Sequence, residues 1–177
     1  MKNVFKLIIF SFICGPLFSC ATTPFDDIET VTYYDPDHDF TQYRTYAWAG
    51  TAQVLFDPIG QWEKPTLDTD EELRFAINEQ LHARNMVQVN HKPDLLVTFA
   101  AGVDMTHLEL KQDPAGELET PVNIPKAALI IALIDGHTGY LVWMGQAEGN
   151  ARQQNSIEYI RQRIDYAVTE LFSDFGP

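Results

Sequence analysis

Thiols are nearly missing from this sequence. Its only cysteines are Cys14 and Cys20, so no disulfide framework can form among the residues that follow, and no thiol nucleophile is available there. Serine is almost as scarce. After Cys20 only Ser156 and Ser173 remain, neither in a Gly-x-Ser-x-Gly elbow, which argues against a serine hydrolase. The ten glycines never approach the spacing of a phosphate-cradling loop. Basic residues number 12 against 25 acids, and the formal charge of −13 would repel nucleic acid phosphates. His82, His91, His107 and His137 are scattered, with no HExxH or paired HxH spacing to suggest zinc. No cofactor motif is present, and no catalytic residue stands out.

The N-terminus carries the clearest functional pattern. Lys2 and Lys6 precede the apolar run Leu7 to Ile13, which is too short to cross a hydrocarbon layer of ~30 Å and is soon interrupted by Gly15-Pro16. Leu17-Phe18-Ser19-Cys20 then resembles a bacterial lipobox, although Phe18 is bulkier than the residue usual there. The expectation is a leader over residues 1–19, lipidation at Cys20, a tether over residues 20–28 and a single domain over residues 29–177. Lipoproteins of this kind carry three acyl chains, and two membrane signals already suffice for stable attachment. Ala21 in place of Asp resembles the signal for the outer membrane, so the domain would face the periplasm. Removing the 19 residues ahead of Cys20 leaves 158 and takes away Lys2 and Lys6 but no acid, moving the formal charge from −13 to −15. A chain of this size buries ~70% of its unfolded surface, and a hydrophobic content of 45% supplies one core.

Hydrophobic periodicity orders the rest. Thr30 to Tyr34 and Arg44 to Trp48 read as strands, β-branched and aromatic. Residues Ala49 to Leu67 hold Gly50, Pro58, Gly60 and Pro65, show no period and read as a long loop. Thr69-Asp70-Glu71-Glu72 has the spacing of a capping box. It opens a helix with Leu73, Ala76, Ile77 and Leu81 on one face, Arg84 in its last turn and Asn85 as its stop. Leu95 to Ala101 is a strand, and Met105 to Pro125 a second irregular excursion. Ala127 to Ile134 and Tyr140 to Met144 form a hairpin around Asp135-Gly136-His137-Thr138-Gly139; the first of these strands is apolar on both sides, as in the middle of a covered sheet. A last helix starts near Asn155 and points Ile157, Ile160, Ile164, Val168 and Leu171 to the core. The order ββαβββα predicts an α+β fold, an antiparallel or mixed sheet with two helices packed on one face.

Asp35-Pro36-Asp37-His38-Asp39-Phe40 gathers three carboxylates and an imidazole. Aspartates at the first, third and fifth positions suit a calcium loop, but Phe40 and Tyr46 stand where that loop needs glycine and a bidentate glutamate. A turn accounts for more of these residues: Asp39 caps one helical turn that brings Phe40 and Tyr43 together against the core. No metal ligand set is assigned.

The run DFTQYRTYAW is also where a family resemblance begins. With Pro93-Asp94-Leu95-Leu96-Val97, with Asp135 to Gly145 read as Asp-x-x-Thr-Gly-x-x-Val-Trp-x-Gly, and with the final helix, it resembles the "domain of unknown function 4136" family of bacterial lipoproteins over roughly Thr30 to Phe175. Ala127-Ala128 departs from the Gly-Thr pair often found where that hairpin begins. The resemblance implies a lipid-anchored envelope domain with no assigned reaction and transfers no catalytic residue.

The leading expectation is therefore a non-enzymatic lipoprotein, held on the membrane through Cys20, that binds an envelope protein or a small ligand. Phe56 and Trp62 in the first irregular segment are the candidate partner contacts; alternatively both fold back over the core as a lid. Two other classes stay open. A carboxylate-dependent hydrolase of cell-wall glycan needs converging carboxylates in a cleft, and a carrier of amphiphiles needs an apolar cavity between sheet and helices.

Overall fold

The computed structural model describes residues 25–35, 38–112, 116, 119–151, 156–173 and 175. Cys20 and the lipobox lie outside the described residues, as do Asp37 and Asn155. The strands are β1 (Glu29–Tyr34), β2 (Thr45–Phe56), β3 (Val87–Gln88), β4 (Leu95–Asp104), β5 (Leu108–Gln112), β6 (Glu119–Asn123), β7 (Lys126–Asp135) and β8 (Leu141–Asn150). The helices are α1 (Thr69–Ala83) and α2 (Ile157–Ser173).

Among the described residues, six strands form one sheet in the order β1-β8-β7-β4-β2-β3, and β5 pairs with β6 in a separate two-stranded sheet. The pairings of β2 with β3 and with β4 are parallel. Those of β4 with β7, β7 with β8 and β8 with β1 are antiparallel. This is the mixed α+β sheet expected from the sequence. Alternation makes one of its faces apolar and buried: Leu95, Val97 and Phe99 of β4, Leu129, Ile131 and Leu133 of β7, and Trp143 and Ala147 of β8. Both helices lie on that face. They contribute Leu73, Ala76, Ile77 and Leu81 from α1 and Ala167, Val168, Leu171 and Phe172 from α2 to one core, each large side chain worth ~1.5–3 kcal/mol on burial. No helix among the described residues is long and apolar enough to cross a membrane.

Several expectations need correction. The segment after Trp48 is not a loop up to Leu67, because β2 runs on to Phe56 beside β4 through a bulge between Trp48 and Gly50. Its last five residues are exposed, which removes the alternation that marks a strand. The Met105–Pro125 excursion contains the β5–β6 hairpin, exposed at nearly every position. Strand β7 is central, but helices cover only one side of it, and Ile130 on the other side is 39% exposed. The α1 cap is Asp68, which accepts from the backbone N–H groups of Asp70 and Glu71, one residue ahead of the expected Thr69. On α2, Ser156 Oγ accepts from the Tyr159 N–H in the capping position. Ile157 is exposed in the first turn, while Ile160, a turn further, faces inward. Residues 25–28, read from the sequence as tether, are packed: Phe25 is buried between Tyr159 and Tyr166 of α2.

Candidate functional site

The topology gives the sheet two dissimilar ends. Strands β2, β4 and β8 finish, and β1 and β7 begin, at the end where both helices start. At this end a pocket of about 480 Å³ lies between sheet and helices. Its cause is a fall in side-chain size along the helix-facing positions. On β7 these go from Leu133 through Ile131 and Leu129 to Ala127; on β8, from Trp143 to Gly145, Ala147 and Gly149; on β4, large residues give way at Ala101. Ala101, Ala127, Ala147 and Gly149 all line the pocket. The helices do not close over the small residues. Leu73 of α1 and Ile160, Ile164 and Ala167 of α2 supply the opposite wall, with Trp62, Pro65 and Ile28 at the margins.

Local chemistry fixes those margins. Asp57 Oδ2 accepts the Trp62 N–H at 2.6 Å, and that bond is the main reason its carboxyl is held below the ordinary aspartate range. The loop is thereby wound around one carboxylate, which presents Trp62, half-buried, to the pocket. On the other side Asp27 receives a bidentate pair from Arg163, at 2.7 and 2.8 Å, and also accepts the Asn150 N–H. The Asp27 bond raises the guanidinium pKa above its usual value. Arg163 is thus neutralised although it lines the pocket. Asn150 Oδ1 is buried with no hydrogen-bond partner among the described residues, a condition that costs ~1–3 kcal/mol; closed off from solvent, it does not open on the pocket. Both helix N-termini point their positive dipole ends this way, but Asp68, Asp70, Glu71 and Glu72 on α1 and Glu158 on α2 offset them. The pocket is therefore mostly apolar, with Gln53, Lys64 and Thr69 as polar residues of its lining, and its helix ends make no anion trap.

The sequence-derived candidates separate. Trp62 comes to the pocket margin, whereas Phe56 ends β2 at 57% exposure. Asp35 and Asp39 are exposed, and Asp39 is engaged in capping, accepting from the Thr41 N–H at 2.9 Å. Glu148 is the one carboxylate lining the pocket; it pairs with Glu29 and Ala128, out of step with the inward Ala147 and Gly149, so its side chain turns to the helix-free face, where it contributes to the field at Lys126. Converging carboxylates are not found at this site. Among the described residues, no group of three or more His, Cys, Asp or Glu could hold a metal ion. The floor alanines went unnoticed in the sequence, although the size gradient toward Ala127 was there to be read.

The opposite end collects the motif residues. Asp94 Oδ2 accepts from the N–H groups of Arg44 and Thr45 and from Thr45 Oγ1, at 2.8–3.0 Å. Asp135 accepts from Tyr43 Oη at 2.8 Å and from the N–H groups of His137 and Thr138. These bonds, with that from Thr138 foremost, hold Asp135 far below the normal carboxylate range, while burial and then the Asp135 bond push Tyr43 up. The Gly136 N–H reaches Asp94 O at 2.7 Å, and a Cβ on Gly136 would collide with Pro93 O. A Cβ on Gly145 would lie 2.6 Å from the Trp143 ring, so this glycine lets the indole lie across its own strand. Phe172 and Phe175 pack against that ring and against each other, and Phe40 packs against Phe175. A smaller cavity of about 320 Å³ beside them is walled by Arg84, which donates to the carbonyls of Phe172, Phe175 and Gln80.

A family model described as Domain of unknown function (DUF4136) matches residues 30–177. The chain belongs to the DUF4136 family. Its fold is similar to that of a solved DUF4136 family protein from Bacteroides thetaiotaomicron, with a TM-score of 0.54 at 16% identity over 84% of this chain and 95% of that one. The PelC dodecamer from Paraburkholderia phytofirmans gives 0.49 at 11%, covering 82% of this chain and 95% of the other. A PDZ domain protein from Parabacteroides distasonis gives 0.46 at 15% over 86% of this chain, which spans only 38% of that protein. No curated protein matches the chain. The motifs that mark this DUF4136 domain lie at the end away from the pocket, where they build turns and core.

Proposed function

We propose that this DUF4136 domain is a non-enzymatic binding module of the bacterial envelope, anchored by lipid at Cys20 on the periplasmic face of the outer membrane, and that it takes an apolar or amphipathic small molecule in the pocket between sheet and helices. The observation that carries this reading is the pocket itself: about 480 Å³, floored by alanines and glycine, with a few polar residues, Gln53, Lys64 and Thr69, in its lining. Such a volume falls within the range of small-molecule sites, ~300–1,000 Å³, and a mostly apolar wall with a few polar groups is their usual composition. The lipobox-like pattern at Cys20 and the family resemblance support the anchor. A hydrolase reading has no pair of carboxylates at this site to rest on.

The test is displacement of a fluorescent fatty-acid analogue from the full chain. Parent protein should bind the probe saturably. Ala127→Trp, which fills the floor, should weaken binding at least ~10-fold, or about 1.4 kcal/mol. Equal binding by both proteins would refute the pocket as the site. Independently, metabolic palmitate labelling should mark the parent and not Cys20→Ser.

A further inference from the structure

Exposed apolar side chains gather where the pocket opens, and they come from separate stretches of sequence. Leu55, Phe56 and Ile59, at the end of β2 and in the loop beyond it, are 54–68% exposed. Leu108 and Leu110 of the β5–β6 hairpin are 63% and 66% exposed. The hairpin continues the β4–β7 ladder past the sheet, and the Met105 N–H bonds to Phe56 O, so the two groups share one end of the molecule. Leu55 itself lines the pocket.

The chain also enters the fold at this end. Strand β1 begins opposite Glu148, near the finish of β8, and Ile28 just ahead of it lines the pocket. Asp27 is clamped by Arg163, with both side chains nearly buried, and Phe25 is buried against α2. Four residues lie between Cys20 and Phe25, and the five steps from one to the other span at most about 18 Å. A lipid on Cys20 therefore ties this end, and not the motif end, to the bilayer surface. The charge here is mixed: Lys126 pairs with Glu109 at 2.7 Å, while Lys64 and Lys111 stand near Asp57, Glu63 and Glu119 in sequence. Attraction to anionic head groups is not built in, which leaves apolar insertion as the means of contact.

We infer that the pocket end is a bilayer-contact surface: Leu55, Phe56 and Ile59 together with Leu108 and Leu110 enter the interfacial layer and set the pocket mouth against the acyl chains of membrane lipids. Contact requires only these side chains and the position of the N-terminal strap, whereas uptake of a chain from the bilayer rests on the reading of the pocket given above. The far end also exposes Tyr140 and Leu141, but the strap does not lead there, and Tyr140 serves as the control position.

With no cysteine after Cys20, single labels are clean. Ile59→Cys, Leu110→Cys and Tyr140→Cys are made in a Cys14→Ser background, whose unsubstituted form is the blank. Each full chain is labelled with an environment-sensitive dye and returned from detergent to phosphatidylcholine vesicles with brominated acyl chains. Quenching at Ile59 and Leu110 should exceed that at Tyr140 at least ~3-fold, and it should persist at ~1 M salt and without anionic lipid, because apolar insertion is not screened. Equal quenching at all three positions, none at any, or loss in high salt would overturn the inference. The probe-displacement assay separates the two readings. Quenching without probe binding defeats the pocket and leaves the contact surface; probe binding without quenching does the reverse. Ala127→Trp should abolish probe binding and leave the quenching pattern intact.

Discussion

The two ends of the sheet solve opposite problems with the same strands. At the motif end Asp94 and Asp135 each gather several donors, Thr45 and Tyr43 among them, and Trp143, Phe172 and Phe175 fill the space beneath α1 and α2. At the pocket end the inward positions shrink to Ala127, Ala147 and Gly149, and a cavity remains. The lesson is one of division. Satisfied polar networks and close-packed rings make the motif end intolerant of change, while the pocket end can vary its margins because little else depends on them.

Substitutions that separate the ends should follow that order. Gly136→Ala forces a Cβ against Pro93 O and breaks the bond from the Gly136 N–H to Asp94 O. Backbone meets backbone there, so relief requires the turn to move. We expect a loss of about 3–4 kcal/mol, read from the urea midpoint. Next comes Asp94→Ala, which strands the N–H groups of Arg44 and Thr45 and should cost about 2 kcal/mol. If Ala127→Trp at the pocket end destabilises as much as either, the comparison fails.

Titration should also act at the motif end. Asp135 and Asp94 have depressed pKa values in the fold, chiefly from the Thr138 and Arg44 N–H groups respectively. Their stabilisation is complete above the unfolded aspartate value of ~3.9 and is lost as pH falls below it toward their folded values. Tyr43 is raised, by burial first and then by the bond to Asp135. Its contribution is complete below the unfolded tyrosine value of ~10 and is lost as pH rises past it. Denaturation midpoints measured against pH should fall at both extremes. In Asp135→Asn the acid limb should be shallower, and an unchanged limb would show that this carboxylate does not hold the turn.

Much of the motif end was legible in the sequence. Asp39 as a cap, Phe40 and Tyr43 turned inward and the Asp135–Gly139 turn are short-range features, each set by residues within a few positions of one another. What escaped was non-local. The length of β2 depends on β4, which lends partners to residues too exposed to alternate, and the β5–β6 hairpin has no buried side on which a period of two could show. The pocket was harder still. It exists because small inward residues fall on neighbouring levels, Ala101 with Ala147 and Ala127 with Gly149, and those levels are known only once the register of β4, β7 and β8 is fixed. Trp62 was singled out as an exposed anchor or a lid, and only the fold shows that it borders a cavity.

Trp62→Ala sharpens the comparison from the weak side. The indole is half-buried and faces a space already open, so its removal uncovers little packed surface, and its backbone bond to Asp57 does not depend on the side chain. Stability should fall by about 1 kcal/mol or less, well short of the Asp94→Ala loss. Binding of the fatty-acid probe should weaken ~10-fold, since a rigid aromatic wall is what an apolar ligand would lie against. Small thermal change with a large affinity change is the signature of a margin that serves the pocket and not the core. The reverse pattern, a large stability loss with affinity intact, would make Trp62 part of the packing and would leave the alanine floor as the part of this end that serves a ligand.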